Sequence, residues 1–130
     1  MVKVFPKKYR FVKKKISLTV LLSNNRNIQK LNKKFRNKDK STDVLSFPSE
    51  KKINIKKSPY IGDIIVSYEF MNKPKNLSVL DFKSKVSKVF IHSFLHLLGY
   101  NHINLKDFKE MLGQEEKIYK AIEKKIVKLV

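Results

Sequence analysis

The stretch HSFLHLLGYNH, residues 92–102, decides how the centre of this chain is organised. It holds all three histidines of the sequence, and the four-residue spacing of His92 and His96 puts both on one face of a helix. Gly99 can take the left-handed conformation that ends a helix and reverses the chain, so His102 can return to the same point. We therefore predict that three neutral imidazoles converge on one metal ion and leave one coordination position open.

The metal interpretation has a simpler competitor. A single helical His on an apolar face is more often a hydrogen-bonded core residue than a ligand, but three in this pattern form a specific metal signature. Zinc, one ion per chain, is the leading metal, and imidazole also suits Ni, Cu and Fe. Metzincin zinc peptidases share this His and Gly spacing but place a general-base Glu after the first His. Ser93 stands there and cannot take a proton at neutral pH, so the peptidase apparatus is missing.

Length and composition limit the remaining possibilities. A chain of 130 residues with 42% hydrophobic residues can build one core, so we expect a single domain over residues 1–130. The absence of Cys excludes disulfides and Cys-ligated metal. No uncharged apolar run approaches the length of a membrane span, and no secretory signal pattern is found. We expect a cytoplasmic protein that does not contact a membrane.

The charge of the chain indicates a polyanionic partner. Thirty Lys and Arg against eleven Asp and Glu give a formal net charge of +19, and nucleic acid is the expected partner class. Most of the basic residues are Lys, so drift in genome base composition explains the excess equally well. Arg36 is one of only three Arg, and its planar fork can bind a phosphate bidentately. A solvated charge at a helix end is the alternative for this residue.

The rest of the chain predicts an α+β fold. Strand profiles occur at residues 16–22 (buried), 44–47, 49–60 (an edge strand or a loop around Ile53 and Ile55) and 62–67. Helical periodicity covers residues 25–36, 78–98 and 105–129, with Gly113 as a possible interruption. We predict a small mixed sheet of about four strands with helices packed against it, one of them the zinc-hydrolase-like helix that bears the histidines.

Three segments resemble one protein family. Residues 92–102 look like the metal motif of the YbeY family of endoribonucleases and ribosomal RNA maturation factors. LNKKFRNKDKSTDVLSFP at 31–48 and IGDIIVS at 61–67 resemble further signatures of that family. The resemblance implies that His92, His96 and His102 are zinc ligands and that Arg36 takes part in RNA cleavage. It also implies that four further residues support the site and are not catalysts, namely Thr42, Asp43, Ser46 and Asp63.

The resemblance implies a zinc-dependent endoribonuclease that prefers single strands and acts in ribosomal RNA maturation and ribosome quality control. Ribosomal RNA and components of the small subunit would be its partners. Two positions depart from the family pattern, since Ser93 replaces the usual Gly and Asn101 the usual Asp. Asn101 cannot ionise as a carboxylate does. These departures leave open a non-catalytic ribosome assembly factor with a structural zinc site.

Overall fold

The protein is described from a computed structural model, which covers residues 16–49, 59–73 and 75–128. The elements in chain order are β1 (Ser17–Ser23), α1 (Asn25–Arg36), β2 (Val44–Pro48), β3 (Tyr60–Ser67), α2 (Tyr68–Met71), α3 (Val79–Leu97) and α4 (Leu105–Lys128). The α+β class is confirmed. The short helix α2 is an addition to the predicted elements.

The sheet is mixed, as predicted, and β3 lies at its centre. Its strand order is β1-β3-β2, with β1 parallel and β2 antiparallel to β3. Successive residues of β3 face opposite sides of the sheet, so Ile64 and Val66 enter one apolar cluster and Ile65 enters another. Both faces of the central strand are therefore buried.

The prediction of about four strands is wrong for the described residues, among which the sheet has three. The prediction counted residues 49–60 as a separate edge segment. Tyr60 instead begins β3, because it pairs with Ser17 of β1. Ile53 and Ile55, the alternating pair that suggested the extra strand, lie outside the described residues.

The prediction of a buried first strand is also wrong, because β1 occupies an edge of the sheet. Leu21 is 52% exposed and Leu22 is 69% exposed. The composition of a short apolar run does not distinguish an edge strand from a central strand, so the sequence could not show which position β1 takes. The central position belongs to β3, whose run continues through Ile61, Ile64 and Ile65.

Helices cover both faces of the sheet. The larger cluster joins β3 to α3 and α4 through Ile64, Leu95 and Ile118, all fully buried. On the other face, Ile28 of α1 packs with Leu45 and Ile65. The α4 helix continues through Gly113 without a break. Among the helices of the described ranges, none has both the length and the apolarity needed to cross a bilayer.

Gly62 lies where two strands and α3 approach closely, and it yields a stability prediction. Its φ is +138°, and an added Cβ would collide with the Phe47 carbonyl oxygen and lie 2.9 Å from Pro48 Cα and Leu97 Cδ2. We expect Gly62→Ala to lower the free energy of unfolding by at least about 3 kcal/mol. Gly99, with φ +100° and nothing within 4 Å, is the control, and Gly99→Ala should cost only about 1–2 kcal/mol. Equal losses in urea denaturation would contradict this difference.

Candidate metal centre

The helix α3 brings His92 and His96 together as predicted. The two side chains leave one face a turn apart, their ring centroids are 4.6 Å apart, and their Nε2 atoms are 3.0 Å apart. Ser78 caps the N-terminus of α3 by accepting a hydrogen bond from the Asp81 amide at 3.1 Å.

The chain reverses after α3 through Gly99, and His102 returns to the pair. The Gly99 amide donates to the His96 carbonyl and the Tyr100 amide to the Leu95 carbonyl, both at 3.0 Å. The His102 ring centroid lies 5.1 Å from that of His96 and 5.7 Å from that of His92. One nitrogen from each ring lies within 4.8 Å of the other two, so the three histidines could hold a metal ion.

The outer nitrogens of two rings are fixed by acceptors. His92 Nδ1 lies 2.5 Å from Glu115 Oε1 on α4, and His96 Nδ1 lies 2.9 Å from the Tyr100 carbonyl oxygen. A carboxylate and a carbonyl only accept, so each Nδ1 carries the proton and each Nε2 of a neutral ring presents a lone pair.

Two lone pairs facing each other at 3.0 Å repel unless a cation lies between them. Ligands at the Zn–N distance of tetrahedral zinc are separated by about 3.3 Å, which is close to this spacing. Two imidazoles with their outer N–H groups hydrogen-bonded form the donor set that zinc sites use. The residues present therefore fit a bound zinc ion.

The electrostatics keep His96 neutral. Burial lowers the pKa of His96 from the usual 6.5 to about 4. The charges of His92, His102 and Arg36 act in the same direction, while the hydrogen bond to the Tyr100 carbonyl opposes them. At neutral pH the ring of His96 is therefore available as a ligand without losing a proton first.

Arg36 and the histidines open into one cleft of about 200 Å³. The residues that line it are Arg36, Thr42, Asp43, Val44, Ser46, His92, His96 and His102. Arg36 is the last residue of α1, and its Nη2 donates to the Ser46 carbonyl oxygen at 2.8 Å. Asn37 follows in the left-handed conformation and ends α1. The structure thus brings together every residue that the sequence singled out as a ligand or catalyst.

The supporting residues have mainly local contacts. Asp43 Oδ1 accepts from the Val44 amide at 2.8 Å and from Thr42 Oγ1 at 3.1 Å, which is the turn role expected of an Asp there. Ser46 Oγ donates to the Ser93 carbonyl at 3.3 Å and so ties β2 to α3. Asp63 bonds to the Tyr60 hydroxyl and does not line the cleft.

The two departures from the family pattern leave the cleft open. Ser93 is fully buried, and its hydroxyl donates to the Val89 carbonyl at 2.8 Å within α3. It therefore does not narrow the site. Asn101 Oδ1 accepts from the Ile103 amide at 3.3 Å and supports the loop that carries His102.

Sequence reasoning missed the residue that orients His92. Glu115 lies thirteen residues after the last His, in the middle of α4. The available signal was its place on the helix predicted over residues 105–129, where it is one of five acidic residues. That signal is weak, because the register between α3 and α4 decides which carboxylate reaches the ring.

The residues that line the cleft lie within the part of the chain that matches known proteins. The profile of the family described as Endoribonuclease YbeY matches residues 1–123. A Pelagibacter ubique protein named Endoribonuclease YbeY is 68% identical over 126 residues, 97% of this chain and 82% of that protein. One of the same name from a Sulfurihydrogenibium species is 36% identical over 105 residues, 80% of this chain and 68% of that protein. The match to the solution structure of a Thermotoga maritima protein covers 85% of this chain and 73% of that protein's chain, with 27% sequence identity and a TM-score of 0.46.

Loss of the Glu115 carboxylate should weaken metal binding. We expect Glu115→Ala to reduce zinc affinity about 10- to 100-fold, because His92 then loses the acceptor that fixes its tautomer and orientation. Competition with a chromogenic chelator measures the change. Glu116→Ala, at the exposed neighbouring position, removes the same charge and is the matched control. Equal affinities of the two variants would contradict the role of Glu115.

The lowered pKa of His96 predicts a pH-dependent stability of the metal-free protein. Between about pH 6.5 and pH 4 the unfolded chain binds a proton at His96 that the folded chain does not, so the free energy of unfolding falls as the pH falls through this window. Denaturation in chelator at several pH values measures this slope. His96→Gln cannot titrate and should show a shallower slope, and parallel curves would disprove the assignment.

Proposed function

The chain belongs to the endoribonuclease YbeY family, and we propose that it is a zinc-dependent endoribonuclease that prefers single-stranded RNA. It acts in ribosomal RNA maturation and ribosome quality control, in the cytoplasm, with ribosomal RNA and small-subunit components as its partners. Residues 1–130 form one catalytic domain. One observation carries the proposal: three convergent histidines and an arginine share one cleft in a member of an endoribonuclease family.

His92, His96 and His102 hold one zinc ion per chain in this proposal. The first two bind through Nε2, because their Nδ1 atoms are engaged by Glu115 and by the Tyr100 carbonyl. Bound zinc supplies Lewis acidity toward a phosphoryl oxygen. Three protein ligands leave a coordination position for substrate, which distinguishes this arrangement from a closed four-ligand structural site.

Arg36 binds the phosphodiester and compensates the charge that develops on it. The bond from Nη2 to the Ser46 carbonyl holds the guanidinium in the cleft. A guanidinium has five N–H donors, so others can meet the phosphate oxygens. Fixed donors of this kind stabilise a charged transition state without reorganising during the reaction.

The charge of the chain is compatible with an RNA substrate, and the residue beside the first ligand argues against a peptide. A net charge of +19 attracts a phosphate backbone and raises the rate of encounter. A zinc peptidase needs a general base beside the first ligand, and Ser93 at that position is turned into the protein and bonded to Val89. A phosphodiester therefore suits this site better than a peptide bond.

Substitution of Arg36 and His96 should separate catalysis from metal binding. We expect Arg36→Ala to lower the cleavage rate of a fluorescent single-stranded RNA about 10²- to 10³-fold, because a charged donor is lost from the transition state. Its zinc content should remain one per chain. His96→Ala should lose both zinc and cleavage. Arg26→Ala, at an exposed position early in α1, is the charge-matched control and should resemble the unaltered protein.

Elemental analysis and the cleavage assay together show whether Arg36 and His96 have separate roles and whether the protein is an enzyme. Equal zinc loss in Arg36→Ala and His96→Ala would refute the separate roles. Tight RNA binding by the zinc-loaded protein without turnover would instead identify a non-catalytic assembly factor with structural zinc.

A further inference from the structure

Phe35 is exposed where its sequence position predicts burial. The spacing of Ile28, Leu31 and Phe35 assigns all three to the apolar face of α1. Ile28 is fully buried, whereas Phe35 in the last turn is 58% exposed. A large aromatic ring therefore faces solvent beside Arg36.

The exposed ring packs against a second aromatic ring. Phe35 packs edge to face on Phe47 of β2, with ring centroids 5.5 Å apart and an angle of 67° between the planes. Phe47 in turn packs against the cluster of Ile28, Leu45 and Ile65. Phe47 is partly buried, whereas Phe35 keeps more than half of its surface exposed to solvent and available to a ligand.

The aromatic pair adjoins the candidate metal cleft. The Arg36 guanidinium carbon lies 5.9 Å from the Phe47 ring centroid, and Arg36 Nη2 bonds to the carbonyl of Ser46, the residue before Phe47. Arg36 and Ser46 both line the cleft that contains the histidines. A base stacked on Phe35 and a phosphate bound by Arg36 would thus contact two consecutive residues of α1.

The charge around this ring suits a nucleic acid. Residues 33–40, KKFRNKDK, contain five basic residues and one acidic residue. The Lys34 ammonium lies over one face of the Phe35 ring, 5.2 Å from its centroid, so a base would stack on the other face. The one acidic side chain, Asp39, is already paired: its carboxylate lies 3.9 Å from the Lys33 ammonium and accepts a hydrogen bond from Gln29 Nε2 at 3.1 Å. An aromatic face bordered by cations is the combination that binds a base together with its phosphate.

We infer that an unpaired nucleobase next to the phosphate held by Arg36 stacks on the exposed face of Phe35. The inference rests on the proposed function and adds a physical reason for single-strand preference. A base in a duplex is already stacked on both sides and paired, so it must be extruded before it can reach the ring. A base in a single strand needs no such step.

Binding of two single-stranded octamers tests the stacking. One is a fluorescent RNA octamer of mixed sequence, and the other has the same sugar-phosphate chain without bases. Fluorescence anisotropy on ice with the zinc-loaded full chain gives the affinities, and a gel verifies that each octamer stays intact. We expect Phe35→Leu to bind the octamer with bases about tenfold more weakly, as loss of one base–aromatic stack does. Its affinity for the abasic octamer should be unchanged.

Two further variants control for packing and for exposed aromatics in general. Phe35→Trp keeps a stacking surface and should bind both octamers like the unaltered protein. Phe70 is 41% exposed with the Lys85 ammonium 5.6 Å from its ring centroid, but it does not line the cleft. Phe70→Leu should change neither affinity. Thermal unfolding of each variant verifies that it is folded.

The outcomes separate this inference from the proposed function. Unchanged binding by Phe35→Leu, or an equal loss on both octamers, overturns the stacking role even if the protein cleaves RNA. Base-dependent loss in a protein that does not cleave RNA refutes the nuclease and leaves the stacking role standing. Unchanged octamer binding with loss of a protein partner assigns the ring to protein docking and also overturns the inference.

Discussion

The site depends on the opposition of two lone pairs. Glu115 and the Tyr100 carbonyl each take the outer proton of one imidazole, and the inner nitrogens of His92 and His96 are left facing each other at 3.0 Å. When both rings are neutral, this arrangement is unfavourable and a bound cation would relieve it. Burial disfavours protonation of His96, which is one further way to remove the repulsion.

The fold positions this pair against Arg36, for which we propose a phosphate-binding role. The central strand β3 is buried on both faces, and β2 lies antiparallel beside it, so β2 has a fixed place relative to α3. The Ser46 hydroxyl reaches the Ser93 carbonyl across that junction, while the Ser46 carbonyl receives Arg36. One residue of β2 therefore contacts both sides of the cleft. The sheet acts mainly as the spacer between the arginine and the histidines.

Local patterns in the sequence were enough to predict the convergence of the three histidines, and non-local packing explains what they missed. Spacing along one helix and one left-handed Gly fix the positions of the histidines, and both are encoded within residues 92–102. Glu115 depends on how α4 is shifted against α3, which no short pattern records. The exposure of β1 and of Phe35 has the same origin, because hydrophobic periodicity marks an apolar face without stating what covers it.

The hydrogen bond between His92 and Glu115 has a consequence for the whole helical layer. The ligands come from α3 and from the loop that follows it, and the carboxylate comes from α4. An ion bound there would link α3 to α4 through His92 and Glu115, and its binding free energy would stabilise the packing of the two helices. Removal of such an ion would then weaken the packing of α3 against α4 as well as empty the cleft.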